Sequence, residues 1–334
     1  MKKSIILIII AAFLFSTMEI AIKNTHGAFN PIQLNFLRFL IGGLVLLPLA
    51  IKNLKKANRK LNKKDFICFL WTGFICIIVS MTFFTWSIIM KGSSPAVCAI
   101  IFSCNPFFTI ALASLLFKEK ITKGIVAALI VCFIGIVCII NPTKINAQTF
   151  PSMILSLIAA FTFALYSISS KFAIVKRKLG GVTVTSFTFL VGSIELLILI
   201  GISHINSVSN WLVSKNLALF HSIPIIHGIS LNNILILLYI SIVISGISFG
   251  LLFIVMERTN ATIASLMFFV KPILAPILAL IIIHDTALFK INNLSGVILM
   301  LIGSFTIFYI QLKESKKAQG NKVNKKLNEG VLNK

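Results

Sequence analysis

Acidic residues are scarce in this chain: there are eight in 334, and charged residues of both signs make up only 12%. That is about half the roughly 25% of ordinary soluble domains, too few to cover the surface of a soluble fold. The scarcity also narrows the chemistry. The patterns H-E-x-x-H and D-D-x-x-D are missing, which argues against the common metalloproteases and prenyltransferases; the one G-x-S-x-G match, Gly246–Gly250, lies inside an apolar run. The phosphate-cradling G-x-x-x-x-G-K-[ST] is missing too, so ATP-driven pumping by this chain alone is not expected. The six cysteines at 68, 76, 98, 104, 132 and 138 show no C-x-x-C spacing. They read as small packing residues within apolar runs, and neither a metal nor another cofactor is expected.

What the chain does have is apolar residues, 58% of the total, gathered into long runs. A run of about 20 such residues spans a bilayer. Ten runs are legible, at 4–22, 32–51, 66–90, 94–117, 122–141, 151–172, 183–203, 233–255, 260–283 and 294–312. The expected fold is therefore an all-α integral membrane protein with ten transmembrane helices. The opening Met-Lys-Lys and its apolar run could pass for a signal peptide. The run matches an internal span, however, and is read as a retained helix. The longest connection, 204–232, contains Trp211 and is expected to form a short interfacial helix.

The net charge of +23 would suggest a nucleic-acid partner in a soluble protein. Here the basic residues lie between apolar runs, and the positive-inside rule explains them. With the N-terminus in the cytoplasm, 24 Lys and Arg fall on the inner side and 5 on the outer, while Arg38 and Lys271 lie within spans. This bias predicts an even number of spans, both termini cytoplasmic, and a bilayer rather than nucleic acid as partner.

The chain also repeats itself. Residues 10–23 and 158–171 share seven identities in fourteen positions, and FLIGG at 39–43 matches FLVGS at 189–193. The third and fourth spans of each half align at a constant offset of 166 residues. That register pairs Phe83 with Phe249, Phe102 with Phe268, Pro106 with Pro272, and Glu119 with Asp285. Five spans is an odd number, so the second copy must enter the membrane upside down. The expected organisation is a first repeat over 1–141, an inverted second repeat over 151–312, and a basic cytoplasmic tail over 313–334. Inverted repeats are a recurrent transporter architecture, with substrate held near the midplane between the halves.

Four ionisable residues fall well inside the spans: Glu19, Arg38, Glu195 and Lys271. A charge at the bilayer centre costs about 2.5–3.5 kcal/mol on insertion scales, so each should face a partner or a wet cavity. Lys271 precedes Pro272 as Asn105 precedes Pro106, which places a polar side chain beside a proline kink in both copies. Glu19, Arg38, Asn105 and Lys271 are thus candidate substrate ligands. Glu195 is the candidate for proton coupling, and Trp86 and Tyr166 are candidate cavity-lining aromatics. The alternative for the four charges is a pair of structural ion bridges, with Lys271 held by Glu195 or Glu19.

These residues carry a family resemblance. The chain resembles bacterial drug/metabolite transporters of the EamA type, through P-x-x-L-x-x-x-R at Pro31–Arg38 and S-P-A…N-P-F-F-T…L-L-F-K-E-K-I-T at 94–122. The second copy reads N-A-T…K-P-I-L-A…I-I-H-D-T. The resemblance implies ten helices in duplicated halves, the inner membrane as location, and movement of amino acids, other metabolites or drugs, often outward. Glu19 and Lys271 are not general features of that superfamily.

The expected function is therefore secondary transport of a small metabolite, amino acid-like or a drug, by alternating access with proton coupling. Two cations and two acids within the spans favour a zwitterion. A non-transporting receptor or assembly subunit and an intramembrane enzyme are the rival readings, the latter disfavoured by the missing motifs. A second copy of the chain remains a candidate partner.

Overall fold

The computed structural model describes residues 2–118, 121–140, 149–215, 217–259, 261–269, 271–284, 294–310 and 313. Among these there are helices and no strands. The Glu119–Asp285 match and the tail beyond 313 lie outside the described residues.

Among the described residues, seven helices are long and apolar enough to cross a membrane. They are α1 (Ile6–Lys23), α2 (Pro31–Lys56), α3 (Lys63–Ile89), α4 (Pro95–Phe117), α6 (Phe150–Lys176), α7 (Gly181–Ser203) and α8 (Leu231–Arg258). Between α4 and α6 runs α5 (Lys123–Ile140), and α10 (Leu294–Ile310) is a second short apolar helix. The ninth expected span is built from Ala261–Ser265, the 3₁₀ turn Leu266–Phe269 and α9 (Lys271–Ile283). All ten expected spans are helical over most of their described residues. A short helix, Asn206–Ser214, occupies the long connection with Trp211 exposed.

Local sequence sets where several of these helices start. Asn30 with Gln33, Asn62 with Asp65, and Ser230 with Asn233 form reciprocal capping boxes at the heads of α2, α3 and α8. Ser94 caps α4 with Pro95 in the first turn. Each supplies acceptors to backbone N–H groups that have no partner inside the helix.

The inverted repeat is visible in the packing. Phe102 touches its repeat mate Phe268 at 5.9 Å between ring centroids, and Phe39 touches its mate Phe189 at 4.7 Å. Residues that contact their own mates lie beside a pseudo-twofold axis, as in any isologous contact. The cross-contacts obey the same symmetry: Phe15 meets Phe268 at 5.3 Å, and its mate Phe163 meets Phe102 at 5.3 Å. Phe84, Phe249, Phe253 and Tyr166 extend this buried aromatic cluster, which joins the two halves.

Both copies are irregular at the same places. In α3 the stretch Phe74–Met81 is π-helical, and in α8 so is Tyr239–Ser248. Thr82 Oγ1 donates to the Ile77 carbonyl at 2.9 Å, and its mate Ser248 donates to the Val243 carbonyl at 3.0 Å, each five residues back. In α4, Ser103 and Cys104 interrupt the helix between Pro95–Phe102 and Asn105–Phe117. The ninth span is interrupted at the equivalent point. The expected proline kinks thus fall beside interruptions of the α-helix in both copies. Pro106 and Pro272 each sit in the first turn of a new half-helix, where a missing N–H costs nothing.

Glycines set the closest helix approaches, as is common between membrane helices. A Cβ on Gly296 of α10 would lie 2.4 Å from the Gly135 carbonyl of α5, and one on Gly135 would lie 2.6 Å from the Gly296 carbonyl. Neither backbone can yield without parting the helices. Gly296→Ala is expected to cost about 1–3 kcal/mol, measured as a lower unfolding midpoint in detergent. An unchanged midpoint would contradict this close crossing.

Candidate functional site

The buried charges collect where the broken helices meet. In α1, Ser16 and Thr17 donate to carbonyls four and three residues back, and the helix breaks at Thr17 before the turn Met18–Lys23. This break sets Glu19 beside α9. The first half of α4 packs on α9, while Ala261–Ser265 packs on the second half of α4, as an inverted pair of broken helices must.

Lys271 is the first residue of α9, fully buried, and its Nζ donates to Glu19 Oε1. The Glu19 carboxylate balances this buried ammonium. Around the ammonium stand three rings, those of Phe102, Phe84 and Phe268, at 5.2, 5.6 and 5.9 Å. Ring faces attract ammonium groups at such distances. The sequence left the partner of Lys271 open between Glu19 and Glu195, and the structure pairs it with Glu19.

Arg38 is fully buried on α2 and stacks over the Phe39 ring at 4.5 Å. Its Nη1 meets Met18 Sδ at 3.7 Å, while Nε and Nη2 have no hydrogen-bond partner. No carboxylate stands within ion-pair distance of it among the described residues. Glu19 Oε2 is likewise buried without a hydrogen bond. Asn105 heads the second half of α4. Its Nδ2 donates to the Phe102 carbonyl at 3.3 Å, and its Oδ1 is unpartnered, as is Thr109 Oγ1 one turn on. Buried polar atoms are rarely left unpaired in native folds, so this concentration of unused donors and acceptors sets the region apart from the rest of the bundle.

Four sequence candidates, Glu19, Arg38, Asn105 and Lys271, are therefore linked by contacts through Met18 and Phe102. Glu195 stands apart. It is half-buried where α7 crosses α3, and its Oε2 faces Gly73 with no hydrogen bond. Tyr166 is fully buried against Phe163 and Phe253 in the central aromatic cluster. Trp86 turns elsewhere, meeting Phe220 of the long connection edge-on at 5.6 Å.

Two crevices flank the bundle and are built from repeat mates. One, of about 340 Å³, lies among α1, α8 and α9 and includes Ile20, Ala21, Asn24 and Ile282. The other, of about 540 Å³, lies among α3, α4 and α6 and includes the equivalent residues Ile168, Ser169, Phe172 and Leu116. The inversion puts them on opposite faces. A hydroxyl pair, Thr17 with Tyr239 at 2.7 Å, lies in the first crevice next to the Met18–Lys23 turn. Asp65 borders the second from full burial, bonded to Arg177 Nε at 2.5 Å and to Arg59 at 3.3 Å. This bridge ties the head of α3 to the end of α6.

Duplicated five-helix halves of opposite orientation, broken helices facing each other and charges buried beside the breaks define a multi-pass membrane transporter. The chain belongs to the EamA-like transporter family, whose profile matches residues 2–141 and 150–309. An uncharacterized transporter of Clostridium kluyveri is 32% identical over 325 residues, covering 95% of this chain and 96% of that one. One from Methanothermobacter thermautotrophicus is 24% identical over 319 residues, covering 90% and 85%. A solved crystal structure superposes with a TM-score of 0.66 at 15% identity, covering 93% of this chain and 98% of its own, and shares the fold.

Proposed function

We propose that this transporter carries a small zwitterionic, amino acid-like metabolite across the cytoplasmic membrane by alternating access, both termini facing the cytoplasm. The observation that carries the reading is Arg38, buried with two donor nitrogens unused and, among the described residues, no acid within ion-pair distance. Together, Glu19, Lys271 and Arg38 hold one uncompensated positive charge, which a solute carboxylate would balance. Arg presents a planar fork suited to two-point carboxylate binding. The solute's ammonium would take Glu19 Oε2, next to the Phe84, Phe102 and Phe268 rings, with Asn105 Oδ1 as a further acceptor.

Movement is supported by the paired irregularities. π-Helical turns recur at functional sites, and here they fall at equivalent points of α3 and α8, the spans that precede the interrupted fourth and ninth. The mate crevices on opposite faces suit one site reached alternately from each side. The 24-to-5 division of basic residues supports the orientation.

The test is ligand-induced stabilisation of the purified protein, since a ligand that binds the folded state raises its unfolding midpoint. Amino acids are compared with the matching amines that lack the carboxylate and acids that lack the amine. Only the complete zwitterions are expected to stabilise. Equal stabilisation by the amines alone would remove Arg38 from the site.

Glu195 is the proposed carrier of a coupled proton, because its Oε2 lies buried without a hydrogen bond at the α3–α7 crossing. In proteoliposomes, Glu195→Gln is expected to keep solute exchange while losing net flux driven by a pH gradient. Undiminished pH-driven flux would rule out that role.

A further inference from the structure

A cavity of about 690 Å³ opens on the lysine-rich face, between the ends of α2, α6 and α8 and the start of α7. It belongs to a different place from the charge cluster: Asn53, on its rim, lies fifteen residues along α2 from Arg38, about 22 Å at the helical rise. Three independent features converge in it.

The first is the head of α7, whose N-cap Gly180 offers no side-chain acceptor. Glu257 Oε2 takes the Gly181 N–H at 2.6 Å, which leaves the next N–H groups of a 23-residue helix facing the cavity end without a cap. Helix starts of this kind attract anions. The second is Thr183, which lines the cavity, is fully buried and has a hydroxyl with no hydrogen-bond partner. The third is the basic lining, Lys56, Arg59 and Lys178, against Glu257 as its one acid. The Arg59 Nε is also buried and unpartnered.

We infer that this cavity is a binding site for a phosphate group, held by the start of α7, the Thr183 hydroxyl and the Lys56, Arg59 and Lys178 side chains. A phosphate supplies several strong acceptor oxygens and matches the excess of donors, which a neutral solute would not. The lining comes from α2 of the first repeat and from α6, α7 and α8 of the second. An occupied site therefore ties the halves together at this face and favours whichever state holds them so. Free phosphate and the headgroup of an anionic lipid in the adjoining leaflet offer this same chemistry. The site is independent of the transported solute.

The test uses the full-length protein in nanodiscs, with the unfolding midpoint as readout. Inorganic phosphate is titrated against sodium chloride of equal ionic strength, and phosphatidylglycerol discs are compared with phosphatidylcholine discs. Stabilisation by inorganic phosphate in both discs assigns the free anion. Stabilisation by phosphatidylglycerol alone assigns the headgroup. In either case Thr183→Val with Lys178→Gln should weaken the response about tenfold, the loss of roughly one charge-assisted contact. Thr183→Val preserves shape and removes no existing hydrogen bond, so its fold should hold. If neither probe stabilises beyond its control, or the double variant responds like the parent, the inference fails.

Discussion

Lys271→Ala is expected to lower the stability of the detergent-solubilised protein by about 3–5 kcal/mol, the usual cost of removing one partner of a buried ion pair. Lys271 and Glu19 are 0% and 1% exposed, so the carboxylate left behind would be a buried charge without its partner. Adding Glu19→Gln to that variant should recover most of the loss, because no buried charge then remains unbalanced in the pair. The double variant also separates two roles. If the pair serves only to hold α1 against α9, restoring the fold restores transport. If Glu19 receives the solute ammonium, the restored fold remains inactive, and that is the expected result. Thermal unfolding and solute exchange on the two single variants and the double variant decide between them.

Arg38→Met should behave in the opposite way, keeping the fold and losing the ligand. The guanidinium forms no ion pair among the described residues, so replacing it relieves a desolvated charge rather than stranding one. The methionine stem can still cover the Phe39 ring, which Arg38 now overlies at 4.5 Å. The unfolding midpoint is therefore expected to hold or rise. Affinity for a carboxylate-bearing solute should fall about a hundredfold, the equivalent of roughly 3 kcal/mol for a two-point charge-assisted contact. Arg38→Lys should recover little, since an ammonium cannot present the same fork. A collapsed Arg38→Met protein would show that the arginine is structural.

The spans and the inverted repeat were legible in the sequence for a physical reason. In lipid the backbone must satisfy itself, so long apolar runs can only be helices, and an odd count per copy dictates the inversion. The proline matches at 106 and 272 located the irregular region but not its form. A proline that kinks a continuous helix and one that opens a new half-helix look alike in sequence. The π-helical turns left a fainter signal, the hydroxyl mates Thr82 and Ser248, which only their i−5 bonds explain. The pairing of Lys271 with Glu19, 252 residues apart, was open because α9 is apolar around its circumference and hydropathy does not fix its rotation. The rings around Lys271 were hidden among 29 phenylalanines. Trp86 gave no hint that it would meet Phe220 rather than the charges.

The most direct test of the central claim is counterflow in proteoliposomes loaded with an unlabelled amino acid mixture, following entry of the same labelled solutes one by one. Recognition of both solute charges at the Glu19–Arg38–Lys271 cluster predicts labelled uptake of at least one zwitterion. That uptake should be lost in the well-folded Arg38→Met protein and should not be competed by the decarboxylated amine. Wild-type uptake that persists unchanged in Arg38→Met, or that the amine alone supports fully, would contradict the account.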